Sequence, residues 1–355
     1  VPERGRLLRT LVGLGVALAA GGALLFGAPA RSGEPQPLAL AATWPQAERG
    51  SVPSKLPDGS EYSPGLFLDA KTSAGTAQSQ DGHTLRLVLR QADGTLRELR
   101  KVPSADRAPF AALTGSADAL VWVESIDGKQ QLWTGGLRHP ARMLTADVGA
   151  MQFYDSQYDL VIADGTVHWV ASGPGDQTEF RSVALAGGRV TITREAGTWA
   201  LSAWPWAVDG QTSARGATTL RNLATGRRIA VPSADRTVTA CSPAWCQMVS
   251  LNTDGYARME LSHPDGSARR KVAEGTVATA ITDVAVLDRF EVLARIGPQS
   301  ELSGNQELLI HDLKTRQTVL ISPDAGNIAY RAGVLWWSTG DQSSFIRNSL
   351  DLRTI

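Results

Sequence analysis

Along most of the chain, apolar positions come in short alternating or continuous runs, as in Leu85-Arg-Leu-Val-Leu89, Ala119-Leu-Val-Trp-Val123 and Val167-His-Trp-Val170. Where these runs alternate, the period is two, which puts successive side chains on opposite faces of a half-buried strand. Tight-turn dipeptides separate the runs. Asp-Gly recurs at Asp58, Asp81, Asp93, Asp127, Asp164, Asp209, Asp254 and Asp265, and each supplies the positive φ that a two-residue hairpin turn requires. Beyond residue 57 no stretch carries a convincing helical period, so the pattern predicts consecutive antiparallel hairpins with no parallel crossover.

The hairpins repeat. Val102-Pro-Ser-Ala-Asp-Arg107 returns letter for letter as Val231-Pro-Ser-Ala-Asp-Arg236, an offset of 129 residues that divides into three units of 43. A four-stranded propeller blade takes about 40–45 residues. A second marker has the same period: a strand running into a turn, followed by a short strand rich in Arg and Leu or Val. The strand and turn occur at Leu85–Gly94, Gln131–Gly136, Phe180–Gly188, Leu220–Gly226, Ala257–Gly266, Leu308–Arg316 and Ile346–Thr354. Six of the seven continue into an outer strand, and the seventh runs out of chain at Ile355. A ring closed without an exposed edge needs a donor for that last blade, and the expected clasp is the segment around Leu40–Gln46. The reading is an all-β chain: a seven-bladed β-propeller whose N- and C-terminal strands share one blade. Six or eight blades stay open, because the third and sixth units are long and the fourth has an irregular second strand.

The units carry a family resemblance, plainest in the second. Ser116-Ala-Asp-Ala-Leu-Val-Trp-Val123, Ile126-Asp-Gly128, Gln131-Leu-Trp133 and Arg142-Met-Leu-Thr145 resemble the WD40-like repeats of TolB-type propellers. In those repeats a turn, an apolar strand, a second strand and a closing Leu-Thr follow one another. The resemblance covers about 300 residues and departs from the pattern in the leading turn, where Ser116-Ala-Asp-Ala119 stands for Ser-Pro-Asp-Gly. It implies the propeller fold and an extracytoplasmic address. The Ala-, Arg- and Gly-rich usage is similar to that of secreted propellers of high-GC Gram-positive bacteria.

The N-terminus points to the same address. Arg4, Arg6 and Arg9 precede a charge-free stretch from Leu11 to Phe26, and Ala28-Pro29-Ala30 offers a small-x-small cleavage pattern. The segment is read either as a cleaved signal peptide or as an uncleaved anchor, since about 20 apolar residues suffice to span a bilayer. In both cases the rest of the chain lies outside the cytoplasm, secreted or held at the outer face of the membrane. The expected organisation is residues 1–33 as signal or anchor, 34–57 as a Pro/Ala/Ser-rich linker that includes the closing strand, and 58–355 as the propeller. Cys241 and Cys246, the only cysteines, read as a local disulfide in an oxidising compartment, with two free buried thiols as the alternative.

Charge and motifs narrow the function classes. Thirty-five basic residues balance 35 acidic ones, and with no long run of either sign a nucleic-acid partner is not expected. No Gly-x-Ser-x-Gly elbow, His-Glu-x-x-His, phosphate-binding Gly-x-x-x-x-Gly-Lys or EF-hand loop occurs, so no catalytic residue, metal or cofactor is assigned. His83, His139, His168, His263 and His311 stand beside turns or within strands. Most of the ten Trp read as wedges between blades. Trp204, Trp206 and Trp245 are the candidate partner-binding residues, because Pro205 interrupts a strand and turns a ring toward a rim. The expected function is a monomeric scaffold that binds a protein or cell-wall component and meets the membrane only through its N-terminal segment. The alternatives are an envelope glycan hydrolase or lyase with loop-borne carboxylates, and a purely structural envelope component.

Overall fold

The computed structural model describes residues 36–104, 109–116, 118–210, 213–232, 234, 236–251, 257–297, 300, 304–340 and 345–355. The signal or anchor segment lies outside them. No described helix is long and apolar enough to cross a membrane.

Among the described residues, short antiparallel strands follow each other in sequence order and build six sheets around a common axis, one of them eight-stranded and carrying two blades, which makes seven blades. Blade 1 comprises Tyr62–Phe67, Ser73–Gln78, Thr84–Arg90 and Leu96–Pro103, and blade 2 comprises Phe110–Gly115, Leu120–Ile126, Lys129–Gly135 and Arg142–Thr145. In blade 3 the innermost strand is split into Ala150–Met151 and Leu160–Ala163, followed by Thr166–Ser172, Gln177–Ala184 and Thr191–Ala196. Blade 4 is short-stranded, with Trp199–Leu201, Trp206–Asp209, Thr219–Asn222 and Arg228–Ala230. Blade 5 runs through Thr237–Cys241, Cys246–Leu251, Ala257–Ser262 and Arg270–Gly275. Blade 6 uses Val277–Thr279, Phe290–Arg295 and Gln306–Asp312, and its outer strand is the first part of the long strand Gln317–Arg331. The rest of that strand becomes the inner strand of blade 7, next to Val334–Thr339 and Ile346–Asp351.

All seven of the strand-and-turn markers fall on the third strand of a blade. The repeated hexapeptide begins at the end of the outer strand of blade 1 and again just after that of blade 4, so its offset spans three blades.

Closure is by the N-terminus. Arg49–Pro53 pairs antiparallel with Ile346–Asp351 from Arg49 against Leu350 to Pro53 against Ile346, and becomes the outer strand of blade 7. The clasp therefore lies downstream of the expected segment. Leu40–Thr43 is a single helical turn. Trp44 is buried, with its ring edge-on to Phe290 at 5.7 Å between centroids, so the apolar residues that suggested a strand there serve as a wedge. Leu38–Ala39 adds parallel to blade 6, Leu38 opposite Val319.

Apolar clusters fill each interface between neighbouring blades. One such cluster, with Val52, Tyr62, Phe67, Val334 and Trp336, lies between blades 7 and 1. Burial at that seam, worth roughly 1.5–3 kcal/mol per large side chain removed from water, makes the ring continuous. The blades alternate in connection: first-to-second and third-to-fourth strand turns lie at one end of the ring, and second-to-third and blade-to-blade connections lie at the other. The first end is called the hairpin face below.

Candidate functional site

The innermost strand of blade 3 leaves its ladder after Met151 and returns at Leu160, although only Val170 separates the two partner residues on the next strand. The eight residues between them project into the axis of the ring. Ser156 caps a short helical turn, Gln157–Asp159: its Oγ accepts the Tyr158 N–H at 3.1 Å. The Asp159 carboxylate accepts the N–H groups of Tyr154 (2.9 Å) and Ser156 (3.2 Å).

This loop reaches across the channel. Ser156 Oγ donates to Asp283 at 2.7 Å and the Gln157 N–H donates to its other oxygen at 3.3 Å. Thr282 Oγ1 donates to the Asp155 carbonyl at 2.8 Å, and Arg331 donates to the Ser156 carbonyl at 3.2 Å. Asp283 and Thr282 follow the inner strand of blade 6, and Arg331 ends that of blade 7. The loop thus ties blade 3 to the opposite side of the ring in the hairpin-face half of the channel.

Burial raises the pKa of both axial carboxyls. Asp159 stands at about 6, with desolvation outweighing its two N–H donors. Asp283 is also raised, chiefly by desolvation, with Ser156, Gln157 and Arg331 opposing. Burial likewise pushes the hydroxyls of Tyr158 and Tyr330 upward.

The three sequence-predicted Trp residues lie on the hairpin face or next to it, but in different settings. Trp204 and Trp206 flank Pro205, joined to Trp204 by a cis peptide bond, in the tight turn between the first two strands of blade 4. Both are half-buried. The Trp204 ring stacks on His168 at 3.5 Å between centroids, and Trp204 packs in the same cluster as Tyr154 and Tyr158. Trp206 packs with Tyr154 in a neighbouring cluster that includes Cys241 and Cys246. The axial tyrosines and the blade 4 tryptophans therefore form one aromatic corner. Sequence reasoning missed Tyr154, Tyr158, Asp159 and Asp283 because the loop that carries the first three is held in place by Asp283, 126 to 127 residues further along the chain.

Trp245 is 9% exposed and serves as a wedge between blades 5 and 6. His263 stacks on it at 4.3 Å, the Arg270 guanidinium lies over it at 4.5 Å, and its N–H donates to the Asp288 carbonyl at 3.1 Å. A partner at this position meets Arg270 and His263 before it meets Trp245. Cys241 and Cys246 face each other across the first hairpin of blade 5 and are disulfide-bonded, and Ser202 of blade 4 donates to the Cys241 carbonyl at 3.2 Å.

His83 and His139 are exposed; His168 and His311 are buried. Desolvation lowers His168 to about 4, which keeps it neutral at physiological pH. Glu291, fully buried between blades 5 and 6, accepts from Gln247 and from the Ala285 N–H, and burial raises it to about 8. Among the described residues no three His, Cys, Asp or Glu side chains converge as metal ligands would.

Seven radial blades, the last shared between the two ends of the chain, define a β-propeller. No family model matches the chain, and no curated protein does. Among solved structures it is similar to an oligogalacturonate lyase in complex with manganese (TM-score 0.51, 8% identity, 86% of this chain and 98% of that one). It is also similar to the β-propeller domain of the Trilobed protease from Pyrococcus furiosus (TM-score 0.50, 8% identity, 79% and 89%). A third similar structure is the uncharacterized protein lmo1340 of Listeria monocytogenes (TM-score 0.52, 9% identity, 78% and 88%). At these identities the likeness is one of fold.

Proposed function

We propose that the chain is an extracytoplasmic binding scaffold, secreted or tethered by its N-terminal segment, that engages a protein or cell-wall partner through the aromatic corner of its hairpin face. The observation that carries this reading is the use of the axial carboxyls. Enzymes on a ring fold draw reactive groups from loops around the channel, whereas here both oxygens of Asp159 and of Asp283 accept hydrogen bonds from within the fold. These groups are spent on holding a loop in place. Beside them Trp204, Trp206, Tyr154 and Tyr158 remain partly open to solvent, on a frame rigid enough that binding orders little else. Large aromatics with a polar edge are the residues that most often anchor interfaces.

The test is crosslinked capture from the producing cell's envelope with the full chain as bait. The Trp204→Ala/Trp206→Ala variant, checked for an unchanged far-UV spectrum, is expected to lose the partner. Trp245→Phe, a change at a ring buried in the seam between blades 5 and 6 and away from the aromatic corner, is expected to retain it. Equal recovery by all three baits contradicts the assignment of the corner.

A second reading, a glycan lyase or hydrolase, is favoured by one observation: an axial carboxyl raised to about 6 sits where a general acid or base near neutrality is useful. Turnover of oligogalacturonides that is lost in Asp159→Asn would support it.

A further inference from the structure

The seam between blades 5 and 6 on the hairpin face holds a cationic notch that the aromatic corner does not use. Arg270, the first residue of the outer strand of blade 5, lays its guanidinium on the Trp245 ring at 4.5 Å and donates from one Nη to the Leu313 carbonyl at 3.2 Å. Its Nε is buried with no hydrogen-bond partner. Leu313 opens the turn 313–316 of blade 6, so the same contact brings Arg270 against the turn that carries Lys314 and ends in exposed Arg316. On the other side His263 stacks on Trp245, and its Nδ1 lies 2.9 Å from the Ala244 carbonyl, which can only accept. Nδ1 therefore holds the proton, and Nε2 is left out of that bond.

Arg270 and Arg316 bring two positive charges together at this seam, with the Asp265 carboxylate beside His263. Arg270 and Arg316 form no ion pair among the described residues. Asp312, one residue before the turn, is engaged by Arg289 at 2.8 Å, and Asp265 in the His263 turn accepts from Ser267. A half-buried guanidinium with an unused donor beside a second guanidinium carries a cost that a bound anion offsets. Burial, and next the nearby Arg316, press the Arg270 pKa below its ordinary range, a pressure that a bound anion relieves.

We propose that the notch of Arg270 and Arg316 beside the Trp245 ring binds a phosphate group. Two guanidiniums with planar donor forks match phosphate oxygens in geometry and charge. The group can be free inorganic phosphate or the headgroup of an anionic phospholipid. One topological fact links the notch to a membrane surface: Leu38–Ala39 runs parallel to the strand that begins at Gln317, so the chain enters the fold beside the turn 313–316. This site is separate from the aromatic corner, and its failure would leave the capture test of that corner untouched.

The experiment is calorimetric titration of the full chain with inorganic phosphate against sodium chloride of equal ionic strength. Saturable binding that Arg270→Gln and Arg316→Gln each weaken about tenfold or more, while Arg138→Gln on an exposed turn of blade 2 leaves it intact, is the expected result. Because Arg316 is exposed, its variant tests the site without disturbing the seam. Displacement of phosphate by soluble dihexanoyl phosphatidylglycerol assigns the headgroup as a source; lack of displacement assigns free phosphate. No saturable binding, or equal binding by all four proteins, overturns the proposal.

Discussion

Glu291 shows how far one buried side chain can set the behaviour of the ring. Its carboxyl has only Gln247 and one backbone N–H for company, so it keeps its proton up to about pH 8, whereas an unfolded chain releases it near 4.5. Between those values the folded state holds one proton more than the unfolded state, so stability is full below about pH 4.5 and falls as pH rises through 8. Glu291→Gln keeps the size and the hydrogen-bonding capacity without the titration. Chemical denaturation at several pH values is expected to show the wild type losing up to about 5 kcal/mol across this window relative to the variant. Parallel curves for the two proteins would mean that Glu291 is hydrated and charged. The sequence gives no hint of this environment, because a Glu at an alternating strand position reads as solvent-facing. It is buried here only because both faces of an inner blade are covered by neighbouring blades.

At the scale of single elements, two features decide the architecture: the clasp and the axial loop. Gly50 in the clasp strand backs onto blade 1 so closely that a Cβ there would stand 1.8 Å from the Ala70 carbonyl oxygen and 2.9 Å from Ser349 Oγ. Gly50→Ala is therefore expected to cost roughly 1–3 kcal/mol or more by forcing the strand off its partner, with a lower melting temperature; an unchanged melt would show that the clasp is not seated as described. For the axial loop, Asp283→Ala leaves the Ser156 hydroxyl and the Gln157 N–H without their acceptor. The expected loss is about 1–3 kcal/mol, with faster amide exchange confined to 152–159 and 280–285. Uniform change across all blades would contradict a locally pinned loop. The third strands were legible in the sequence because each couples an apolar run to a turn. The clasp was misplaced because Leu40–Trp44 carries the apolar signal of a strand, while Arg49-Gly-Ser-Val-Pro53 does not alternate and takes its register from Ile346–Leu350. The axial loop was invisible because its partners are 126 to 175 residues distant.

For the whole molecule, periodicity carried the fold: a 43-residue unit repeated along the chain resolves into seven blades, and the N-terminal strand completes the last. The setting of each candidate residue was legible only in part. Trp204 and Trp206 stand half-buried on either side of Pro205, and Trp245 is buried in the seam between blades 5 and 6, where a tapering stack of sheets takes up large rings. What distinguishes the two roles is exposure, which depends on the neighbouring blade and not on local sequence. The ring as a rigid frame and the corner as its working surface make a joint claim that amide exchange tests most directly, on the full chain alone and bound to the partner recovered by capture. The account predicts new protection confined to the turn around Trp204–Trp206 and the loop holding Tyr154 and Tyr158, with the seven blades unchanged. Protection centred on the opposite face, or spread through the blades, would contradict it.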